Sequence, residues 1–191
     1  MGLFGNSKKT KNYDDGSYFG EIKGGIPHGR GTYTYKNGDK FDGSFWYGKK
    51  KGKGVYFFAN GDKYEGEFDA DKMHGEGTLH YADNSHYDGM FQNGLRHGQG
   101  VYYYLNGNHY TGEFKLGNIT GKGAIFDKEG RKLYEGEMLN GKKHGKGSMF
   151  YENGETYEGE WKNDVRHGHG RYYFTDGKVV ENEYENDEIV K

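Results

Sequence analysis

The sequence predicts an all-β protein: a single-layer twisted antiparallel meander of about seven β-hairpin repeats, each 23 residues long. Three observations carry that prediction. An aromatic-x-Gly triplet recurs at Tyr18/Gly20, Phe41/Gly43, Tyr64/Gly66, Tyr87/Gly89, Tyr110/Gly112, Tyr134/Gly136 and Tyr157/Gly159, in steps of 23 residues with one step of 24 after Tyr110. A His-Gly pair recurs with it at His28, His74, His97, His144 and His167, and Lys51 and Thr120 take its place in two units. A fixed period over nearly the whole chain marks a repeat architecture. The composition is the third observation: 31% of the residues are hydrophobic, 17% are aromatic, and 36 are glycine. That is too little aliphatic material for a two-layer core. It suits tyrosine and phenylalanine laid over glycine.

Taken in order, residues 1–12 (MGLFGNSKKTKN) read as a flexible basic tail. Gly2 followed by lysines hints at N-myristoylation with a basic patch, although Asn6 stands where that signal takes Ser or Thr. Residues 13–178 hold the seven-unit array. In the tile that starts at Tyr64, alternation puts Tyr64, Gly66 and Phe68 on one face of a strand and Glu65 and Glu67 on the other. Residues 69–74 read as a hairpin loop, and Gly77, Leu79 and Tyr81 share a face of the next strand. The Asn-Gly pairs at 37–38, 60–61, 106–107 and 153–154 read as type I′ turns to the following tile. Seven such hairpins make about 14 strands.

Glycine weakens a strand interior unless a neighbouring ring covers it. One face is therefore expected to be aromatic, with Tyr33, Tyr35, Tyr56, Phe58, Tyr81, Tyr102, Tyr104, Tyr172 and Phe174 forming a partner groove beside the Tyr-x-Gly residues. The other face is expected to carry an acidic ladder that includes Asp42, Glu65, Glu67, Glu135, Glu137, Glu158 and Glu160. Between the fifth and sixth tiles, Gly130 to Tyr134 takes one residue more than the usual step, which a longer turn or a bulge must absorb. Residues 179–191 replace Tyr and Gly by Val180 and Asn182 and end in acids, and read as a degenerate acidic cap on the sheet edge.

Several functions are disfavoured. The chain has no cysteine, so disulfides and thiolate metal sites are excluded. A net charge of −2 gives no reason to expect nucleic acid. No stretch has the apolar length of a membrane span. The repeated histidines stand two strands apart, about 10 Å, too far to share one metal ion. The repeated Glu-Gly-Glu pairs recur alike in tile after tile, whereas a glycosidase needs one pair in distinct environments. No catalytic residue, cofactor or metal ligand is assigned. An exposed aromatic face asks for a partner. The rival reading is a basic edge at Lys49, Lys50, Lys51, Lys142 and Lys143 that binds acidic phospholipid.

Tyr-x-Gly-x-Phe followed by His-Gly-x-Gly at this period resembles the MORN repeat family over about residues 13 to 185. The resemblance implies a twisted single-layer sheet of hairpins and a non-enzymatic scaffold. Gly43-Ser-Phe-Trp-Tyr-Gly48, residues 93–114 and residues 163–173 are similar to family members of the radial spoke head of motile cilia. That similarity implies a place in the ciliary axoneme, with other radial spoke head subunits as partners and a homodimer as a further possibility. A cytoskeletal site or the cytoplasmic face of a membrane is the alternative.

Overall fold

The computed structural model describes residues 8–191. Gly2 and the rest of residues 1–7 lie outside the described residues. The chain divides into two compact units, 1–95 and 96–191. The first unit holds β1 (Lys8–Tyr13), β2 (Gly16–Lys23), β3 (Ile26–Tyr35), β4 (Lys40–Trp46), β5 (Lys49–Phe57), β6 (Lys63–Asp69), β7 (Lys72–His80) and β8 (His86–Gln92). The second holds β9 (Leu95–Tyr103), β10 (His109–Lys115), β11 (Asn118–Phe126), β12 (Lys132–Leu139), β13 (Lys142–Phe150), β14 (Thr156–Lys162), β15 (Val165–Tyr173), β16 (Val179–Glu185) and β17 (Glu188–Ile189). Among the described residues there is no helix, and within each unit the strands pair antiparallel in chain order. The 14 expected strands are β2 to β15, and β1, β16 and β17 are additional. Residues 8–12, read from sequence as tail, form β1 because the outer edge of β2 offers them a ladder of unpaired backbone groups.

Each tile is built around a glycine pair. Gly66 on β6 stands directly across from Gly77 on β7, and Tyr64 lies over both. A Cβ on Gly66 would sit 2.4 Å from the Tyr64 hydroxyl oxygen and one on Gly77 2.5 Å from it, so only glycine admits the ring. Tyr18, Phe41, Tyr64, Tyr87, Tyr110, Tyr134 and Tyr157 occupy this slot and are buried. Phe41, Tyr64, Tyr87, Tyr110 and Tyr157 each meet edge-on the ring four residues on, and Tyr64 also meets the next tile's ring, with Tyr64–Phe68 at 5.1 Å and Tyr64–Phe91 at 4.9 Å. The hydroxyl donates to the backbone carbonyl three residues on: Tyr18 to Glu21 at 2.7 Å, Tyr64 to Glu67 at 2.9 Å and Tyr134 to Glu137 at 2.9 Å.

The His-Gly knot is a bulge inside a strand. Register steps from Gly66↔Gly77 to Phe68↔Met73, so the second strand carries two extra residues. Gly75 absorbs them at φ 63°, with the Glu67 carboxylate packed against it. In three other tiles the equivalent carboxylate accepts a backbone N–H just past the knot, as Glu137 does from Lys146 at 3.1 Å.

The two kinds of turn are exchanged relative to the sequence reading. Ala70-Asp71, Asn93-Gly94 and Asn140-Gly141 have positive φ at both residues, which makes the turn inside each tile type I′. The Asn-Gly pairs between tiles are three-residue loops. Tyr35 O accepts from Gly38 N at 3.1 Å and Tyr35 N donates to Asp39 O at 2.9 Å, and only Gly38 (φ 96°) is left-handed. Asn37 Oδ1 accepts from Asp39 N at 3.0 Å, an Asx turn that keeps Asn37 out of the left-handed region.

The turn around Gly130 repeats this hydrogen-bond pattern, with Asp127 in the place of the tyrosine. The added residue falls after it. Register steps from Ile125↔Tyr134 to Phe126↔Lys132, so Leu133 is bulged out and Tyr134 keeps its face. Asp127 holds the turn by accepting from Glu129 N, Arg131 N and Arg131 Nε.

Candidate functional site

In the first unit the aromatic face carries a chain of rings beside the buried slots. Centroids lie 5.7 Å apart for Tyr13–Tyr33, 4.4 Å for Tyr33–Tyr35, 6.0 Å for Tyr35–Tyr56 and 4.5 Å for Tyr56–Phe58. The hydroxyls of Tyr33, Tyr35 and Tyr56 are tied down. Tyr33 donates to Asp15, Tyr56 donates to Asp39 at 2.8 Å, and Tyr35 accepts from Lys50 Nζ at 2.8 Å. Burial, then these carboxylates, push the Tyr33 and Tyr56 hydroxyls above their ordinary value, and burial with Asp71, Asp15 and Asp39 nearby takes Tyr35 to about 12. At Asp39 burial would raise the carboxyl, but the Ala59 amide and the Tyr56 hydroxyl outweigh it and hold it below its ordinary value. Tyr33 is 9% exposed, so it supports the face more than it offers surface, whereas Tyr35, Tyr56, Phe58 and Tyr81 are half-buried.

In the second unit the structure brings Tyr102 to 4.9 Å from Tyr104, and in a separate set Tyr151 to 5.6 Å from Tyr172 and Tyr172 to 4.8 Å from Phe174. Tyr104 is 37% exposed and Phe174 36%. Tyr172 donates to Glu155 at 2.7 Å, and burial and that carboxylate take its hydroxyl to about 12.

Basic residues inserted on this face were not foreseen. Lys50 is buried, with Nζ 5.2 Å from the Tyr35 centroid, 5.7 Å from Phe41 and 5.1 Å from Tyr56. Burial lowers its pKa against the pull of Asp71 and Asp39. Arg96, Lys143 and Arg166 hold the same slot in later tiles, with Lys143 Nζ 4.3 Å above Trp161 and the Arg166 guanidinium 4.7 Å from Tyr184. The sequence reading put Lys50 and Lys143 on a basic loop edge because it took the counterparts of residues 69–74 in each tile for loops. Strand parity with Tyr56 and Met149 was the signal that would have placed them. Lys49 pairs with Asp71 at 3.3 Å and Lys51 with Asp69 at 3.1 Å, and Lys142 is exposed.

The opposite face is mixed in charge rather than an acidic ladder. Lys53 faces Glu67, Lys122 faces Glu137, Lys146 faces Glu160, and Arg171 faces Glu158. In the second unit this face holds an open trough of about 1010 Å³, lined by glycine backbone and by residues such as Glu135, Glu137, Lys146, Glu158 and Arg171. Among the described residues no group of three or more His, Cys, Asp or Glu side chains could hold a metal ion. The first unit also exposes a cluster the sequence reading did not single out as a site. His28 lies 4.6 Å from Trp46 and 4.7 Å from Tyr47, and Trp46 is 56% exposed.

The MORN repeat family matches residues 18–40, 41–63, 64–86, 87–109, 110–124, 134–156 and 157–179. The chain belongs to the MORN repeat family. Each match begins on a buried slot ring, and the gap between 124 and 134 brackets the Asp127 turn and the Leu133 bulge. No curated protein matches this MORN chain. Among solved structures it is similar to the SAS-4 (dCPAP) TCP domain of Drosophila melanogaster, in complex with a proline-rich motif of Ana2. The TM-score is 0.51 at 14% identity, over 93% of this chain and 90% of that one. A point mutant of the TCP10 domain of Danio rerio CPAP aligns with TM-score 0.49 at 14% identity, over 95% of this chain and 97% of that one.

Proposed function

We propose that this MORN chain is a scaffold that docks protein partners on the aromatic faces of its units, as a component of the radial spoke head of the ciliary axoneme. The observation that carries the docking reading is the Tyr35–Tyr56–Phe58 run. Tyr35 and Tyr56 are held in place through Lys50 and Asp39, and Phe58 packs against Tyr56, yet all three remain half-exposed, as preorganised interface anchors are. Rings with tied hydroxyls offer their flat faces, which suits an extended segment rich in proline. The SAS-4 domain, similar in fold, is in complex with such a motif. The axonemal setting is supported by the resemblance of the Gly43–Gly48 segment and its companions. The ion pairs of Lys49 and Lys51 and the burial of Lys50 favour a protein partner over an acidic lipid.

The test is photocrosslinking. A photoreactive group beside Tyr35 or Tyr104, in chain added to extracted axonemes, should crosslink to spoke head subunits. Tyr35→Ala with Tyr56→Ala should abolish the crosslinks from the Tyr35 site. Crosslinks that survive those changes, or none at all, would overturn the reading.

A further inference from the structure

We infer that Lys143, at a break in the ring row of the second unit, takes a carboxylate side chain of the docked partner segment. This rests on the docking reading above and adds the chemistry the partner must bring. Lys50, Arg96, Lys143 and Arg166 share one slot of the aromatic face, and three of the four are anchored. Lys50 Nζ donates to the Tyr35 hydroxyl at 2.8 Å, Arg96 Nη2 to Gly117 O at 2.6 Å, and Arg166 Nε to Asp187 at 3.0 Å. Lys143 Nζ makes no hydrogen bond or ion pair among the described residues. Its neighbours are ring faces, with Trp161 at 4.3 Å and Tyr134 at 5.8 Å.

The exception has a cause in the tile. Lys50 finds a hydroxyl because Tyr35 and Tyr56 flank it. At Lys143 the place of Tyr56 is held by Met149, which stands across from Tyr134 as Tyr56 stands across from Phe41. The place of Tyr35 is held by Asp127, whose carboxylate is taken up by its own turn and by Arg131. Asp164 and Asp187 lie near enough to pull on the ammonium, and burial still lowers its pKa against them. Both are engaged elsewhere, Asp164 by the Lys143 backbone N–H at 2.9 Å and Asp187 by Arg166.

The rings break at the same place. Ile125 and Met149 replace the tyrosine found at Tyr56 and Tyr172, so Tyr102–Tyr104 and Tyr151–Tyr172–Phe174 are separate sets. A segment that touches both sets crosses Lys143. Covering it strips water from a half-buried ammonium that holds three N–H donors. An apolar cover would bury an unpaired charge, which is strongly unfavourable. A backbone carbonyl answers a hydrogen bond but not the charge. A carboxylate answers both, in a bond that the same loss of water strengthens.

Random peptides displayed on phage and selected on the wild-type chain test this, with Tyr151→Ala/Tyr172→Ala identifying those that bind the ring row. These binders should carry an Asp or Glu. Lys143→Met, a side chain that Met73 already places in this slot, should weaken their binding by roughly tenfold or more. Replacing the peptide's acid by its amide should do the same, and both changes together should cost little more than either alone. The chain has two tryptophans, so Trp46→Phe leaves Trp161 as the reporter beside Lys143. The acidic peptide should change its emission and the amide peptide should not. Ring-dependent binders that lack an acid, that bind Lys143→Met as well as wild type, or that leave Trp161 unmoved would overturn this inference and leave the docking reading standing. No ring-dependent binder at all would overturn both.

Discussion

Two rows of rings share the aromatic face and differ only in what lies beneath them. The rings of the aromatic-x-Gly strands, such as Tyr64, lie over a glycine pair and are fully buried. Most rings of the following strands and of the turns after them, such as Tyr56 and Tyr104, have no such pair to sink onto and keep exposed surface, Tyr33 being the buried exception. The same side chain therefore does two jobs. Over glycine it supplies the core of a one-layer sheet, and elsewhere it supplies surface for a partner. The second row can be changed for binding without dismantling the first.

The largest way to break that comparison is to truncate one ring from each row. Tyr64→Ala should destabilise the protein by about 3–5 kcal/mol, as for a large core ring. Tyr104→Ala should cost about 1 kcal/mol or less. Denaturant midpoints at unchanged slope measure both. Equal losses would erase the distinction between the rows.

Alkaline titration sharpens it. Burial pushes the Tyr18, Tyr110 and Tyr157 hydroxyls up to about 12 from 10.0. A raised folded pKa means stability is fully present below pH 10, the unfolded value, and is lost as pH rises through about 12. Tyr110→Phe should flatten that loss. The ring itself is tolerated, because Phe41 fills the same slot in another tile. An unchanged pH profile would show that the buried hydroxyl is not what titrates.

The smallest expected effect is at Lys50, between the rows. Its pKa is lowered by burial, so the unfolded chain holds the proton more tightly. Stability should then rise with pH between that lowered value and 10.5, superposed on the tyrosine loss that begins near 10. Lys50→Met should remove this rise while changing stability at neutral pH by about 1 kcal/mol or less, since lost cation–π contact offsets relieved desolvation. Met73 already occupies the equivalent slot. Denaturation midpoints across the pH range report the change in slope.

The sequence by itself determined the period, the strands and the aromatic face. Alternation and a 23-residue repeat are properties of neighbours along the chain, and a ring two residues before a glycine in every tile has one economical explanation. It also located the irregularity near Gly130, since an added residue in a counted period cannot hide. The tertiary structure alone decided what depends on the strand across the sheet. Ala70 has no local preference for left-handed backbone, yet the pairing of β6 with β7 holds it there beside Asp71 in a type I′ turn. Lys50 looks like a solvated loop lysine until β5 is seen to run through it and turn it onto Tyr35 and Tyr56. Lys8 to Asn12 look like a tail until β2 gives them a ladder. In each case the deciding hydrogen bond comes from residues outside the local window, and so no local pattern could announce it.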